Sequence, residues 1–544
     1  MLLDNKKTKT RYIVVTGGVL SGVGKGTATA SIGLLLKEQG LSINMIKIDP
    51  YLNVDAGTMR PTEHGEVFVT YDGGETDQDI GNYERFLNRE FSRLNNITSG
   101  QVYMNVLKKE RNLDYQGECV SIIPHVPDEI KRRIRKSSDM HDADFTLIEV
   151  GGTTGDYENI LFLEALREMR LEQEEIVFVH IVYLPVPNNI GEMKTKPAQH
   201  SVRELNSVGI QPDFILGRGS VRLDDVRRKK LANFCNVPTE HVVSAADVES
   251  IYDIPLNFDR ENLTKMILEK FRFGHKDNTM QHWAKESEKV RRLKEKGKRV
   301  KIGIVGKYFD TGDFVLEDSY VSVIEAIKHA CYKEDVFPEI DWVDAKRCEE
   351  STAMLKEYDG IIVPGGFGTK GVEGKIKAIE YCRTQKIPYL GLCYGLQLAV
   401  VEFARNVCKL DAHTTEADTD VEHPVIDILP EQKEILRRKK YGGSMRLGNY
   451  AALLEKGSIV ARLYGKEGAV ERHRHRYEVN PRYHETLKEG GLRISGISPD
   501  GKLAEYIELK DHPFFVGTQA HPEFTSRFQN PNPLFSGFIR AAKR

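Results

Sequence analysis

The sequence has few of the features that mark a secreted, membrane or nucleic-acid-binding protein. Its seven cysteines are an odd number without a CxxC pair, which argues against a disulfide framework and a structural zinc site. The longest apolar run, 176–186, is interrupted by His180 and is shorter than the roughly 18 residues of a membrane span. The N-terminus has no apolar stretch typical of a secretory signal. We therefore expect a cytoplasmic protein without a membrane partner.

Charge of one sign is not in excess either. Lys and Arg number 78 against 80 Asp and Glu, so the formal net charge is −2. A protein that binds nucleic acid over much of its surface normally carries a basic excess, and we expect no nucleic-acid partner here.

The chain is long enough for several domains. It has 544 residues, of which 40% are hydrophobic and 29% charged, a composition typical of globular proteins. Residues 285–301 carry nine basic and three acidic side chains, which predicts a solvated helix or linker. Short apolar runs alternate with helical patterns on both sides of this stretch, as in parallel sheets with crossover helices. We expect an α/β protein with domains 1–274 and 301–544 joined by a linker, 275–300.

A glycine-rich turn follows the first predicted strand, RYIVVTGG (11–18). Its sequence, GGVLSGVGKGTATA (17–30), offers backbone amides and a helix N-terminus to an anion, and Lys25 can reach a terminal phosphate. The turn departs from the standard GxxxxGK[ST] pattern, because five residues separate Gly18 from Gly24 and Gly26 precedes Thr27. The pattern predicts a variant phosphate-binding loop.

Two acidic motifs accompany this turn. Asp79 ends ETDQD (75–79), read as a loop, and Glu149 stands near the end of the predicted strand 145–152. Mg²⁺ prefers oxygen ligands and shares them with phosphates, so both carboxylates are candidate ligands. The basic stretch GEMKTKPAQH (191–200) is either a solvated loop or a second polyanion site.

The second half contains a candidate nucleophile. YLGLCYGLQLA (389–399) reads as a strand, a Gly-x-Cys-x-Gly turn and a helix, the cysteine version of a nucleophile elbow. The helix dipole favours the Cys393 thiolate, and the Tyr394 amide is positioned to stabilise an oxyanion. The glycine-rich VPGGFG (363–368) offers further amides for the same oxyanion hole.

Partners for this cysteine stand near the C-terminus. His521 and Glu523 are two residues apart in QAHPEF, so in an extended segment both side chains would share one face. That arrangement suits a base and the group that orients it. We interpret the RHRHR cluster (472–476) as a binding site for a carboxylate-bearing substrate rather than for nucleic acid.

Long motifs in the correct order identify a family resemblance. The segments that carry it are TGGVLSGVGKG, KIDPYLNVDAGTMRPTEHGEVFVTYDGGETDQDIGNYERF (47–86), EVGGTTGD, GEMKTKPAQHSV, FCNVP, VPGGFGTKGVEGK, the Cys393 elbow, ERHRHRYEVNP and HPEFTSR. Together they resemble the CTP synthase family from about residue 11 to 541. The resemblance implies two Rossmann-like domains: an N-terminal P-loop amidoligase similar to dethiobiotin synthetase, and a C-terminal class I glutamine amidotransferase.

The resemblance also implies a reaction. ATP, with Mg²⁺, would phosphorylate O4 of UTP, and ammonia would then displace the phosphate to give CTP. Cys393 would attack glutamine to release that ammonia, His521 would move the proton and Glu523 would orient His521. The family is typically a homotetramer activated by GTP and inhibited by CTP, and filament formation is a further role that the sequence leaves open.

Site residues carry over from the family motifs one by one. Those implied for ATP are Gly22, Val23, Gly24, Lys25, Gly26, Thr27, Lys47, Asp79, Ala246, Asp247 and Val248. Those implied for UTP or CTP are Ser21, Asp156, Tyr157, Glu158, Lys194, Thr195, Lys196, Pro197, Ala198, Gln199, Lys230 and Phe234. Those implied for glutamine are Gly366, Tyr394, Gly395, Leu396, Gln397, Glu416 and Arg476, and those for Mg²⁺ are Asp79 and Glu149.

Some positions depart from the family pattern. Tyr394 and Leu396 stand where Leu and Met are common, which leaves the amide geometry intact, and Ala246 replaces a polar or basic residue beside adenine. Two other readings stay open: a different glutamine-dependent amidoligase, such as a cobyrinic acid amidase, and a partitioning-type ATPase acting as a scaffold. The second leaves the Cys393, His521 and Glu523 motifs without a role.

Overall fold

The computed structural model describes residues 10–20, 22–187, 191–307, 317–428 and 445–543. Two compact units make up the chain. The N-terminal unit contains Met1–Ala56 and Asp79–Glu288, and the C-terminal unit contains Gly57–Gln78 and Lys289–Arg544. The segment Gly57–Gln78 therefore packs with the C-terminal unit, whereas the sequence-based division at 274 and 301 stays a prediction.

The elements are numbered in chain order. The strands are Arg11–Gly18 (β1), Ile43–Asp49 (β2), Phe68–Val69 (β3), Glu75–Thr76 (β4), Asn96–Thr98 (β5), Phe145–Val150 (β6), Ile176–Tyr183 (β7), Phe214–Gly219 (β8), Val242–Ala246 (β9), Lys298–Gly306 (β10), Val336–Asp344 (β11), Gly360–Val363 (β12), Tyr389–Leu392 (β13), Ala412–Thr414 (β14), His423–Ile428 (β15), Arg446–Leu454 (β16), Gly468–His475 (β17), Tyr477–Val479 (β18), Arg493–Ile497 (β19), Ala504–Glu508 (β20) and Phe515–Thr518 (β21). The α-helices are Lys25–Glu38 (α1), Pro61–His64 (α2), Gln78–Leu87 (α3), Ser99–Arg111 (α4), Ile122–His141 (α5), Ile160–Leu171 (α6), Lys196–Ser207 (α7), Asp225–Cys235 (α8), Ile254–Arg260 (α9), Leu263–Lys270 (α10), Gln281–Lys296 (α11), Val321–Lys333 (α12), Ala345–Glu350 (α13), Val372–Gln385 (α14), Tyr394–Asn406 (α15), Ile459–Tyr464 (α16), His484–Glu489 (α17) and Pro533–Ala542 (α18).

The N-terminal unit is built on a seven-stranded parallel sheet with the order β5-β2-β6-β1-β7-β8-β9. Every residue of β2 and β6 is buried, as expected for parallel strands covered on both faces. Val14, Ile46 and Ile148 pack in one core with Leu163 and Leu166 of α6. Because all strands run the same way, their carboxyl ends meet at one edge, where the phosphate-binding turn also lies.

The C-terminal unit contains a nine-stranded mixed sheet with the order β11-β10-β12-β13-β21-β20-β19-β16-β17. Its first five strands are parallel, and the remaining four pair antiparallel. The segment Gly57–Gln78 adds the two-stranded pair β3–β4, and β14, β15 and β18 form a small separate sheet. Apolar cores fill both faces of the large sheet. The α/β fold class predicted from the sequence is confirmed.

The charged stretch that separates the two sequence patterns forms helix α11. Trp283, Val290 and Leu293 are buried on one face of it, and the Trp283 indole donates a 2.8 Å hydrogen bond to the Tyr252 carbonyl. The stretch is thus an amphipathic helix with a solvated side. Across the described part of the chain, no helix has the length and apolar character needed to cross a membrane.

Candidate functional site

The phosphate-binding turn leaves a helix N-terminus without a side-chain cap. Strand β1 ends at Gly18, and helix α1 begins at Lys25 after Gly24, whose φ of 87° is in the left-handed region that favours glycine. The first turn of α1 contains no acidic residue, and no side chain among the described residues caps its amides. Free amides and the helix dipole make such an end an anion-binding position.

Lys25 and Gly26, at the start of helix α1, both contact neighbouring parts of the candidate phosphate site. The Lys25 ammonium is buried and donates a 2.6 Å hydrogen bond to the Gly152 carbonyl, and burial lowers its pKa although Glu149 opposes the shift. A Cβ at Gly26 would lie 2.0 Å from Asp79 Oδ1. A side chain at position 26 would therefore displace the Asp79 carboxylate.

Three carboxylates surround one lysine at the carboxyl edge of the sheet. Lys47 Nζ forms an ion pair with Asp79, lies 3.0 Å from Glu149 Oε1 and lies 3.8 Å from Asp49 Oδ1. Burial is the main cause that raises the pKa of Glu149 to about 7 and that of Asp49 to about 6. Burial also acts on Asp79, but Lys47 outweighs it and lowers the pKa of that carboxyl. The cluster is short of positive charge, which a divalent cation would supply.

Asp79 and Glu149 fit a magnesium ion that is shared with a nucleotide. Mg²⁺ usually takes one or two protein carboxylates, together with phosphate oxygens and water. No group of three or more His, Cys, Asp or Glu side chains in the described ranges has metal-binding geometry, so phosphates would have to complete the coordination. The loop predicted for Asp79 is wrong, because Asp79 lies in the first turn of α3.

The residues implied for the pyrimidine nucleotide lie in several elements of the N-terminal unit. Ser21 lies outside the described residues. Lys194 and Thr195 precede α7, and the first turn of α7 contains Lys196, Pro197, Ala198 and Gln199. Lys194 Nζ lies 2.7 Å from the Glu192 carboxylate, and Gln199 donates to Thr195 Oγ1 at 3.1 Å.

The residues implied for CTP and adenine are mostly exposed. Tyr157 is 88% exposed and Phe234 57% exposed, and Glu158 shares the short 3₁₀ turn Tyr157–Asn159. Asp156 directly precedes that turn, and its carboxylate accepts a 2.7 Å hydrogen bond from the Thr153 amide instead of capping the turn. Lys230 and Phe234 are four residues apart on α8 and so share one face. The positions beside adenine follow or end β9; they are Ala246, Asp247 and Val248.

The cysteine turn of the C-terminal unit has the geometry of a nucleophile elbow. Cys393 connects β13 to α15 with φ 48° and ψ −95°, a strained conformation for a residue that carries a side chain. A Cβ at Gly391 would lie 2.6 Å from the Tyr389 hydroxyl, and one at Gly395 would lie 2.2 Å from the Val363 carbonyl oxygen. Both glycines are therefore required by the sharpness of the turn, and the Cys393 amide anchors it by donating to Thr518 O at 2.7 Å.

A histidine and a glutamate accompany the cysteine. His521 Nδ1 lies 2.7 Å from Glu523 Oε1, and the His521 ring stacks on Phe524 with a centroid separation of 5.2 Å. Burial alone would lower the pKa of His521, but Glu523 and then Cys393 raise it to about 10. The extended segment predicted here is wrong, because Pro522 starts a 3₁₀ turn, Pro522–Thr525, that brings the two side chains together.

A cavity of about 300 Å³ opens onto the cysteine and the histidine. Gly366, Gln397, Glu416 and Arg476, all implied for glutamine, line it. The other three implied residues, Tyr394, Gly395 and Leu396, form the first turn of α15. The cavity thus combines the nucleophile with a carboxylate and a guanidinium, groups that suit an amino-acid substrate.

The RHRHR cluster divides between this cavity and the interior. Arg474, His475 and Arg476 line the cavity. Arg472 is fully buried and donates a 3.0 Å hydrogen bond to the Val69 carbonyl, and His473 Nδ1 lies 2.8 Å from His475 Nε2. Two of the five residues, Arg472 and His473, therefore lie in the interior, which the sequence pattern alone does not indicate.

Several residues of both sites were not predicted from the sequence. Tyr83 donates to Glu149, Gln519 Nε2 lies 3.7 Å from Cys393 Sγ, and Asp49 completes the Lys47 cluster. Tyr83 stands four residues after Asp79 on α3, which is the spacing of neighbours on a helix face. Asp49 directly ends a buried strand, the same signal that identified Glu149.

The comparisons with known proteins assign both units. Residues 11–273 match the family model of the CTP synthase N-terminus, and residues 315–541 match that of class-I glutamine amidotransferases. An amidoligase domain joined to a glutamine amidotransferase defines a glutamine-hydrolysing ligase. The chain belongs to the CTP synthase family.

Relatives support the family assignment over nearly the full length of this chain. The CTP synthase of Methanococcus maripaludis is 49% identical over 542 residues, covering 98% of this chain and 99% of the relative. That of Sulfurisphaera tokodaii is 51% identical over 539 residues, with 98% and 99% covered. The solved glutaminase domain of Trypanosoma brucei CTPS, with bound acivicin, is 38% identical, covers 45% of this chain and 93% of that domain, and has a TM-score of 0.41.

Proposed function

We propose that this chain converts UTP to CTP with ATP and glutamine, and that the residues implied by the sequence perform the two half-reactions. The reaction consumes UTP, ATP, glutamine and water and yields CTP, ADP, phosphate and glutamate. The observation that carries the proposal is the pairing of a phosphate-binding turn in one unit with a cysteine elbow in the other. Neither a scaffold ATPase nor a simple amidase needs both.

In the N-terminal unit, Lys25 and the free amides of α1 bind the transferred phosphate. Asp79 and Glu149 would hold Mg²⁺, which when bound neutralises charge on the ATP phosphates. Lys47 keeps both carboxylates in place, and Tyr83 fixes the second oxygen of Glu149. These contacts orient the nucleotide so that its terminal phosphoryl group can pass to O4 of UTP, and ammonia then replaces that phosphate at C4.

In the C-terminal unit, the Cys393 sulfur attacks the side-chain carbonyl carbon of glutamine. The carbonyl electrons move onto oxygen, and the Tyr394 amide is placed to stabilise the oxyanion. His521 gives its proton to the departing nitrogen, so ammonia leaves and a thioester remains. His521 then takes a proton from the water that hydrolyses the thioester to glutamate, while Glu523 holds the imidazole in orientation.

We propose that UTP and the inhibitor CTP share a triphosphate site but use separate base pockets. Lys194 to Gln199 and Lys230 serve both nucleotides, whereas Asp156 to Glu158 and Phe234 contact mainly CTP. Exposure of Tyr157 and Phe234 supports this, since a free aromatic surface suits a nucleotide base. GTP as activator is proposed on family membership alone.

The assembly and compartment are further proposals. Helix α4 exposes Met104 and Leu107, three residues apart, and Leu113 follows at 73% exposure. Such an apolar strip supports association of copies of this chain, which we propose to be a homotetramer. All seven cysteines are free thiols, which supports a reducing, cytoplasmic location.

The test is a nucleotide assay with purified protein. UTP, ATP and Mg²⁺ are supplied with either glutamine or an ammonium salt, and CTP is measured. We expect CTP from both nitrogen sources and none without ATP. No CTP from UTP, with amination of another acid acceptor instead, would favour a different glutamine-dependent amidoligase.

A further inference from the structure

A lysine beside the cysteine elbow is buried without a hydrogen-bonding partner. Lys375, in the first part of α14, is 0% exposed, and its Nζ has no hydrogen bond within the described residues. The amine lies 5.1 Å from the centroid of the Tyr394 ring. Burying an unpaired amine costs free energy, so a residue kept in this state implies a partner in another state of the site.

A glycine loop separates this lysine from the catalytic histidine. Gly365 and Gly366 follow strand β12 and precede α14. A Cβ at Gly365 would lie 2.6 Å from His521 Cε1, whereas one at Gly366 would lie 3.8 Å from both Lys375 Nζ and Tyr394 Cδ1. One side of the loop therefore faces the catalytic groups, and the other faces the amine.

Hydrogen bonds to other described residues hold Phe367 and Gly368 at the C-terminal end of this loop, but none holds Gly365 or Gly366. The Gly368 amide donates to Glu416 Oε1 at 2.9 Å, and the Gly368 carbonyl accepts from the Tyr394 hydroxyl at 2.9 Å. The Phe367 carbonyl accepts a hydrogen bond from Lys307 Nζ. Neither Gly365 nor Gly366 has a hydrogen bond to any other described residue. The loop thus has two unpaired peptide groups next to an unpaired donor.

We propose that Lys375 is a positioning residue for the oxyanion hole. Its amine donates to a carbonyl of the Gly365–Gly366 segment when glutamine reacts. Because the C=O and N–H of a trans peptide point to opposite sides, an N–H of the segment then faces the oxyanion formed at Cys393. That N–H is the second donor beside the Tyr394 amide, and the inference rests on the proposed glutaminase function.

The amine can make this bond in either protonation state. Burial, and then Lys307, lower the pKa of Lys375 to about 7, whereas Glu416 opposes the shift. Both the ammonium and the neutral amine carry N–H groups that can be donated. The lower pKa reduces the cost of keeping the group buried while its partner is absent.

Lys375→Met tests the proposal, because Met has a similar length and no donor. Lys377→Met is the matched control: Lys377 is exposed on the same helix, where it donates to the Glu349 carbonyl at 2.6 Å. We expect Lys375→Met to lower kcat for glutamine about 10- to 100-fold relative to the ammonia-dependent rate, with KM within about twofold. Lys377→Met should match the wild type.

A second measurement separates positioning from structural support. A γ-aldehyde analogue of glutamine forms a thiohemiacetal whose oxyanion occupies the hole, whereas alkylation by iodoacetamide needs only the Cys393 thiolate. Lys375→Met should weaken inhibition by the aldehyde by the same factor as kcat and leave the alkylation rate unchanged. Its Tm should not fall, because Met removes the free-energy cost of burying an unpaired amine.

Two results would overturn the proposal. In the first, Lys375→Met keeps its kcat and its affinity for the aldehyde. In the second, Tm, alkylation and both CTP-forming activities fall together, which would mark Lys375 as structural only. A wild-type enzyme that makes CTP from ammonia but never from glutamine would instead refute the proposed glutaminase function, and this inference with it.

Discussion

The two strand–turn–helix sites of this chain both have a residue with positive φ directly before the helix, and they differ in which residue it is. Helix α1 begins after Gly24 with φ 87°, and helix α15 begins after Cys393 with φ 48°. Neither residue caps its helix with a side chain. In the first turn the missing side chain leaves the amides open to an anion. In the second the side chain is the nucleophile that we propose.

The two turns also differ in the charged groups that surround them. Around Lys25 and Lys47, buried carboxylates and ammonium groups are arranged for a polyanion and its metal. Around Cys393, His521 and Glu523 form one charged pair and Arg474 and Glu75 form another at 2.8 Å, while the polar neighbours of the sulfur itself are the Arg474 carbonyl and the Gln519 amide. Phosphoryl transfer depends on fixed charge, whereas acyl transfer depends on a placed nucleophile and oriented donors.

The largest expected effect is the loss of glutamine-dependent synthesis without loss of ammonia-dependent synthesis. Cys393→Ala removes the nucleophile, so glutamine-dependent CTP synthesis should fall by at least about 10³-fold while ammonia-dependent synthesis continues. Lys25→Ala removes the phosphate ligand needed with either nitrogen source and should abolish both. The measurement is CTP formation in a two-by-two assay. Parallel loss in Cys393→Ala would show that the cysteine is structural.

A glycine substitution should disturb either turn without removing any of its charged groups. In Gly26→Ala the new Cβ would lie 2.0 Å from Asp79 Oδ1, and in Gly395→Ala it would lie 2.2 Å from Val363 O. Since displacements of about 1 Å cost about 10²-fold in rate, Gly26→Ala should impair both syntheses and Gly395→Ala only the glutamine-dependent one. Gly274→Ala is the control, because its Cβ meets no atom within 4 Å. Equal effects of the first two variants on ammonia use would contradict the comparison.

The pH dependence of glutamine-dependent synthesis should report the protonation of His521. The pKa of His521 is raised to about 10, chiefly by Glu523 against the effect of burial. A raised folded-state pKa gives stability that is fully present below the ordinary histidine value and is lost as pH rises through about 10. The protonated imidazole, and with it glutamine-dependent synthesis, should therefore persist into alkaline solution.

Glu523→Gln removes the main cause of that shift. The alkaline fall of the glutamine-dependent rate should move toward neutral pH, and kcat at pH 8 should drop about 10- to 100-fold. Ammonia-dependent synthesis by the same preparation is the reference. An unchanged alkaline limb in Glu523→Gln would show that another group controls the protonation of His521.

The smallest expected effect concerns feedback at the phosphate side. Glu158 is exposed in the turn Tyr157–Asn159 and is proposed to contact CTP but not UTP. Glu158→Ala should raise the CTP concentration needed for inhibition by roughly three- to tenfold, which corresponds to the loss of about one ordinary hydrogen bond. The UTP concentration for half-maximal rate should stay the same. A matched rise for both nucleotides would mean that their base pockets are not separate.

Much of the parallel architecture could be predicted from the sequence. Buried parallel strands are continuous apolar runs, so β1 was predicted with the bounds it has and β6 within two residues. Strand β5 was not predicted, because Asn96–Thr98 has three residues and one apolar side chain. The antiparallel β16 and β17 were missed as well, since RHRHR dominates the pattern there.

The sites were less accessible to sequence reasoning than the fold. Motifs indicate which groups react, and Cys393, His521 and Glu523 stood out in this way. They do not indicate burial, so the pairing of Lys47 with three carboxylates and the isolation of Lys375 were not foreseen. The 3₁₀ turn at Pro522 was missed for a related reason: alternate residues share a face in a strand, but a tight turn can bring the same pair together.

The chain crosses between its two units three times, after residues 56, 78 and 288. A gene made by joining two others end to end would encode a single crossing. Here a cut at 288 would give a C-terminal fragment that lacks the β3–β4 pair. Arg472 would then lose its hydrogen bond to the Val69 carbonyl, and Arg474 would lose its ion pair with Glu75. The ring of Phe524 would lose its contact with the Phe68 ring. Arg474 and Phe524 line the glutamine cavity. The C-terminal unit is thus encoded partly inside the sequence of the N-terminal unit, and an exchange between relatives at a single junction after residue 288 would leave the β3–β4 pair behind.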